Sequence, residues 1–154
     1  MNIIELKERD AISGNAKTNQ VFSLFRKVIE EIKKKNLPRE IIESVNQDID
    51  EINSTSLTDR DFRKLVRQKQ AKILKRLDKE LKIVPKNYYR IVWLAVGMGG
   101  IGTPIGVAVW LSTGNIAFIG AGIPIGMAIG FALGMSMDKK ALKEGRQLDV
   151  EVEV

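Results

Sequence analysis

The chain runs to 154 residues, with 25 Lys and Arg against 19 Asp and Glu and a formal net charge of +6. It contains no Cys and no His, which excludes disulfide frameworks, the usual zinc sites, Cys/His nucleophile pairs and Ser-His-Asp triads. There is no phosphate-cradling loop or activated nucleophile either, so the residues predict no enzyme, no catalytic or metal site and no cofactor.

Residues 1–17 form an N-terminal arm. Its charged opening, Met1 to Arg9, has no apolar run of secretory length, so no signal peptide is expected. Ile3, Ile4 and Leu6 could begin a helix or a short strand, and Ser13-Gly14-Asn15 interrupts either. A mobile or loosely packed arm is expected. From Thr18, a plausible N-cap, the helical period is clear: Val21, Phe22, Phe25, Val28, Ile29 and Ile32 recur at i, i+3, i+4 and i+7. Lys33-Lys34-Lys35 suits the negative end of that helix, and Asn36-Leu37-Pro38 stops it. A second helix is predicted from Pro38 to Asn53, with the stripe Ile41, Ile42, Val45, Ile49 and Ile52 and an excess of acids (Glu40, Glu43, Asp48, Asp50, Glu51). Thr58 and Asp61 then have capping-box spacing.

The third helix, from Asp59 to Ile83, carries Phe62, Leu65, Val66, Ile73, Leu77 and Leu81 in a near-heptad seam with Leu74 beside it. An acidic helix followed by a basic one across a short turn predicts an antiparallel pair held by apolar seams, with charge setting the pairing. Residues 18–85 thus read as a cytoplasmic domain of about three helices. Its excess cations, Lys79 and Lys82 with Lys86 and Arg90 downstream, point to anionic lipid headgroups. Nucleic acid is the rival partner, disfavoured because no aromatic platform interrupts the basic run. Ile83-Val84-Pro85-Lys86-Asn87 breaks the helix; it reads as a plain linker or as an elbow that passes movement onward, with Asn87 placed to cap the next helix.

Between Ile91 and Met137 there is no Asp, Glu, Lys or Arg. About 20 apolar residues cross a hydrocarbon core of about 30 Å, and residues 91–137 hold two such spans, 91–112 and 116–137, around Thr113-Gly114-Asn115. The expected fold is therefore an all-α membrane protein ending in a transmembrane helical hairpin. Gly100-Ile-Gly102-Thr-Pro104-Ile-Gly106-Val-Ala108 recurs as Gly120-Ala-Gly122-Ile-Pro124-Ile-Gly126-Met-Ala128. With the turn at Gly114, Pro104 and Pro124 fall at one depth, as do Gly106 with Gly122 and Gly102 with Gly126. Gly122, Gly126, Gly130 and Gly134 form a stripe at which another backbone can approach closely. One such stripe can be consumed inside the hairpin; the surplus at Gly97, Gly99 and Gly100 predicts a homo-oligomer. Pro104 cannot bond the carbonyl of Gly100, nor Pro124 that of Gly120. Those carbonyls and Thr103 either line a pore or cation site, or belong to packed kinks in which Thr103 bonds its own helix. No ionisable residue lies in either span, which counts against a proton relay.

Lys86, Arg90, Lys139, Lys140, Lys143 and Arg146 all flank the side that holds both termini, while residues 112–115 carry no charge. Both ends are expected in the cytoplasm, with Tyr88, Tyr89 and Trp93 at the cytoplasmic interface and Trp110 at the opposite one. In the tail, 138–154, the helix is expected to run on to about Gln147. Leu148 to Val154 alternates apolar and acidic residues, a strand period. A frayed acidic tail is nevertheless expected, because no sheet is evident to receive it.

The stripe Gly122, Gly126, Gly130, Gly134 followed by Met137-Asp-Lys-Lys resembles the small bacterial glycine-zipper proteins of the inner membrane, over residues 91–147 only. The resemblance implies inner-membrane residence and oligomer formation, and no activity. Two functions are expected on these grounds. One is an oligomer whose hairpins form a small pore or membrane-perturbing assembly under control of the basic helical domain. The other is a membrane-anchored adaptor that binds an unidentified cytoplasmic partner through its helical domain or acidic tail.

Overall fold

The computed structural model describes residues 2–7 and 16–152. They are mostly helical: α1 Ala16–Lys33, α2 Arg39–Ser54, α3 Asp59–Leu81, β1 Val84–Lys86, α4 Tyr88–Thr113, α5 Phe118–Lys143 and β2 Gln147–Glu151. The chain divides into two compact units, Met1–Ile83 with Leu148–Val150, and Val84–Gln147 with Glu151–Val154.

In the first unit α3 packs against both α1 and α2. The three helices close because each presents one apolar stripe, and Phe25, Val28, Ile32, Ile41, Val45, Ile49, Phe62, Val66 and Leu77 are buried together with Leu148. Phe22 and Phe62 meet with ring centroids 5.9 Å apart. The acidic face of α2 meets the basic face of α3: Lys69 Nζ reaches Asp48 Oδ1 at 3.1 Å and also bonds Glu51, and Lys72 Nζ reaches Asp48 Oδ1 at 2.8 Å. Asp48 is buried, so two ammonium groups are what make its burial tolerable. The Glu51 carboxylate, then Asp48, hold the Lys69 ammonium above its ordinary pKa.

Several local expectations need correction. Thr18 lies inside α1, buried, and accepts a hydrogen bond from Arg63 Nη1 at 3.0 Å instead of capping the helix. Thr58 takes the N-cap conformation of α3 without a side-chain cap bond. Gln70, not an apolar residue, fills the core position between Val66 and Ile73. α3 stops at Leu81 because Lys82 turns left-handed (φ 56°); its N–H bonds Asp78 O, the bond of an αL cap, and the Ile83 N–H reaches Leu77 O.

Both termini of this unit differ from the expected loose ends. Residues 2–7 form neither helix nor strand and are bonded to α2 through Asn46 and Asn53, while Ser13-Gly14-Asn15 lies outside the described residues. The tail expected to fray is strand β2, in a two-stranded sheet with β1. Leu148 and Val150 are buried, and the Asp149 N–H donates to Glu31 Oε2 at 3.1 Å. The receiving strand is the three-residue Val84-Pro85-Lys86, short enough to read as a linker in sequence.

The second unit is a helical hairpin. α4 and α5 each run 26 residues and hold apolar windows of mean hydropathy 1.7 and 1.8, long and apolar enough to cross a membrane. Gly114 makes the turn at φ 72°. Residues 97–102 of α4 form a π-helical segment just ahead of Pro104. The Thr103 N–H there reaches back to Met98 O, so the widened turn absorbs the donor that Pro104 lacks. α5 carries Pro124 in its interior and runs beyond the apolar span to Lys143, a little short of the expected Gln147.

Candidate functional site

The feature with the tightest construction is the seam between α4 and α5. Gly97, Gly102 and Gly106 of α4 and Gly122, Gly126, Gly130 and Gly134 of α5 are buried in it. A methyl group at Gly102 would lie 2.7 Å from the Gly122 carbonyl oxygen, and one at Gly126 would lie 2.6 Å from Gly102 Cα. At Gly134 it would lie 2.5 Å from Arg90 Cα. Backbone touches backbone along the hairpin, which only residues without Cβ allow. Gly122 faces Gly106 and Gly126 faces Gly102, the pairs that equal distance from Gly114 brings together, and each also touches a neighbouring glycine, Gly102 and Gly97 respectively. The stripe at spacing four on α5 is thus consumed within one chain.

The remaining small residues face outward. A methyl group at Gly99 or Gly120 would meet nothing within 4 Å, and at Gly100 only the Val96 side chain at 3.7 Å. Thr103, Pro104 and Pro124 are exposed. The Thr103 hydroxyl donates to Met98 O at 3.2 Å, so the threonine bonds its own helix. This bond is the one expected of Thr103 under the packed-kink alternative.

At the charged end of the seam Asp138 is buried and closes α4 from the opposite helix. Its two carboxylate oxygens accept the N–H groups of Tyr89 and Arg90, each at 3.1 Å. A carboxylate against the first-turn N–H groups satisfies orphan donors and complements the positive helix end. The sequence offered Asn87 for this task. Asn87 instead turns left-handed (φ 63°), makes no side-chain cap bond, and donates from Nδ2 to Glu151 Oε1 at 2.7 Å. A legible signal for Asp138 existed: it and Arg90 are equidistant from Gly114 along the chain. The Arg90 guanidinium lies over the Phe131 ring at 5.4 Å, and its buried Nε has no hydrogen-bond partner among the described residues.

Of the other headgroup candidates, Lys86, Lys139 and Lys140 are exposed in the hairpin unit and Lys79 and Lys82 in the helical unit. Tyr88, Tyr89, Trp93 and Trp110 are half-buried. The Tyr88 and Tyr89 rings meet edge to face at 5.3 Å, and Tyr89 hydrogen-bonds the Arg146 guanidinium. Arg146 also binds Glu144; that bond, then Tyr89, raise its pKa, and the same guanidinium lowers that of Glu144. The seam is therefore a packing device with a charged cap, and it holds no array of side chains suited to bond-making chemistry. No family model, no curated protein and no solved structure matches the chain.

Proposed function

We propose that the protein is an integral membrane protein in which the α4–α5 hairpin is the anchor and the helical unit is a cytoplasmic binding module. One observation carries this reading. In the apolar windows of α4 and α5 only 17% and 22% of residues are buried, so the hairpin's hydrophobic surface faces outward. Leu111, Ile116, Ile125 and Leu133 are all exposed, whereas a core helix of a water-soluble protein turns such residues inward. Lipid is the solvent that suits this surface. The flanking cations Lys86, Lys139 and Lys140 favour the cytoplasmic side for both termini and an anionic headgroup layer beside them. The bacterial inner membrane is the address that the glycine-zipper likeness implies.

The native chain has no Cys, which makes the test direct. Single cysteines replace Asn115, Ser56 or Lys139 and are probed with a membrane-impermeant maleimide in sealed vesicles. Asn115→Cys should react from one face, Ser56→Cys and Lys139→Cys from the other, and alkaline carbonate should leave all three variants in the membrane. Release by carbonate, or reaction of all three from one face, overturns the reading.

A second function rests on the outward small residues Gly99, Gly100 and Gly120, which leave room for a neighbouring backbone. Copies packed there would form a homo-oligomer, and a ring of them a small pore. Ion flux through liposomes reconstituted with the purified protein supports the pore, and its absence removes it. The bond from Thr103 to Met98 O weighs toward the anchor, since it uses a polar group that a lumen would need.

A further inference from the structure

Asn46 and Asn53 lie seven positions apart on α2, a rise of about 10.5 Å on nearly the same face. Both carboxamides are used in the same way. Asn46 Oδ1 accepts the Ile4 N–H at 2.9 Å while its Nδ2 donates to Asn2 O at 3.1 Å. Asn53 Oδ1 accepts the Lys7 N–H at 3.0 Å while its Nδ2 donates to Glu5 O at 3.0 Å. Each amide thus grips a carbonyl and the N–H two residues on, and the grip repeats after three residues of the arm. Three residues is the period of a polyproline II helix, which rises about 9.3 Å per turn and leaves every backbone N–H and C=O unbonded within itself. The two spacings match, so a pair of asparagines two helical turns apart satisfies one face of an extended chain whatever its side chains are.

Side chains supply the selectivity. Ile3, Ile4 and Leu6 are half-buried, whereas Asn2, Glu5 and Lys7 are exposed. Beside the arm lies an open groove of about 630 Å³ lined by Ile3, Leu37 and Ile42 together with Lys33, Lys35 and Arg39, the arm's own Glu5 lying among them and Arg39 paired with Glu43 at 3.0 Å. An occupant with aliphatic residues at three-residue spacing and a carboxylate at the groove suits this lining.

The geometry points to a peptide-docking site on the helical unit: the Asn46/Asn53 pair reads the backbone of an extended, aliphatic, acid-bearing segment of a partner protein, and residues 2–7 are its resident occupant. The arm is bonded through side chains and not through a sheet ladder, and its apolar residues are only half-buried. Such a segment belongs to the low-stability end of a domain and exchanges with a competing strand. The site stands apart from the hairpin and holds whether or not the hairpin is in lipid.

The test uses the full-length chain and a fluorescently labelled, end-capped peptide of sequence Asn-Ile-Ile-Glu-Leu-Lys. Ile4→Pro with Lys7→Pro removes the two N–H groups that the asparagines accept while keeping the arm extended. This variant should bind the peptide about tenfold more tightly than the wild type, since its own arm competes less. Adding Asn46→Ala and Asn53→Ala should abolish that binding, with helix content unchanged by circular dichroism. A peptide carrying proline at the same two positions should not bind. Amide exchange gives a readout that needs no variant: excess peptide should deprotect the arm's own Ile4 and Lys7 amides in the wild-type chain. Absence of peptide binding to the arm-weakened variant, binding that survives loss of both asparagines, or unchanged arm protection under saturating peptide overturns the proposal.

Discussion

A single missing methyl group separates the two kinds of glycine in this hairpin. At Gly126 a Cβ would meet the backbone of α4 from two sides, at Gly97 and at Gly102. Neither side can yield as a flexible side chain would. At Gly99 a Cβ would meet nothing within 4 Å. Overpacking a tight contact costs about 1–3 kcal/mol, whereas Gly→Ala at an open helical position gains up to about 1 kcal/mol in propensity. Gly126→Ala should therefore loosen the hairpin by roughly 1–3 kcal/mol, and Gly99→Ala should leave it as stable or more so. Unfolding in mixed micelles, followed by circular dichroism, separates them. Equal midpoints for the two variants would mean that the seam does not hold the hairpin closed. The same contrast decides which glycines can meet a second copy, because Gly126 is already occupied within its own chain.

Among the elements, β2 is held in part by a titrating group. Glu31 on α1 accepts the Asp149 N–H of β2 at 3.1 Å and also binds Lys34. The Lys34 ammonium first, and the Asp149 amide second, lower the Glu31 pKa below its ordinary 4.5. A carboxyl whose pKa falls on folding stabilises the fold fully above the unfolded value and loses that contribution as pH falls through the folded one. The Asp149 amide should thus be protected from exchange at neutral pH and lose protection below pH 4.5, the ordinary value. Glu31→Gln, which keeps an acceptor and removes the charge, should flatten that dependence. Identical profiles for the two chains would show that Glu31 does not tether the strand. This strand also marks the limit of what the amino-acid order reveals. The three helices and the hairpin were legible because burial imposes a period on many residues at once: Phe25, Ile32, Ile49, Leu77 and the α5 glycines all fall where it puts them. The alternation of Leu148 and Val150 was legible too, as a strand without a partner. Its partner, Val84-Pro85-Lys86, is too short to show a period and contains a proline, so nothing local distinguishes it from a linker. Asn46, Asn53 and Gln70 escaped for a related reason. Each is a polar residue whose environment is set by a segment distant in sequence, and distance leaves no local signature.

For the whole molecule, anchored in lipid as proposed, the property to measure is its copy number. Between helices already in lipid there is no water to expel, so association rests on close backbone packing and hydrogen bonds. The glycines that achieve such packing within the hairpin point inward, and the outer surface keeps Gly99 and Gly120 open, with Gly100 nearly so. On the proposed membrane reading these positions, rather than the Gly122 to Gly134 stripe that the sequence brings forward first, leave room for a second hairpin. Mass measurement in native lipid nanodiscs should give more than one copy for the wild type. Gly99→Leu with Gly120→Leu should lower the copy number while leaving the hairpin folded, since neither side chain enters the seam. A wild-type particle of one copy would confine the glycines to intrachain packing and leave the anchor reading without an oligomer. An unchanged copy number in the double variant would move the contact to another face of the hairpin or to the helical unit, and the same measurement on chains carrying Ile4→Pro and Lys7→Pro then shows whether the arm joins the copies.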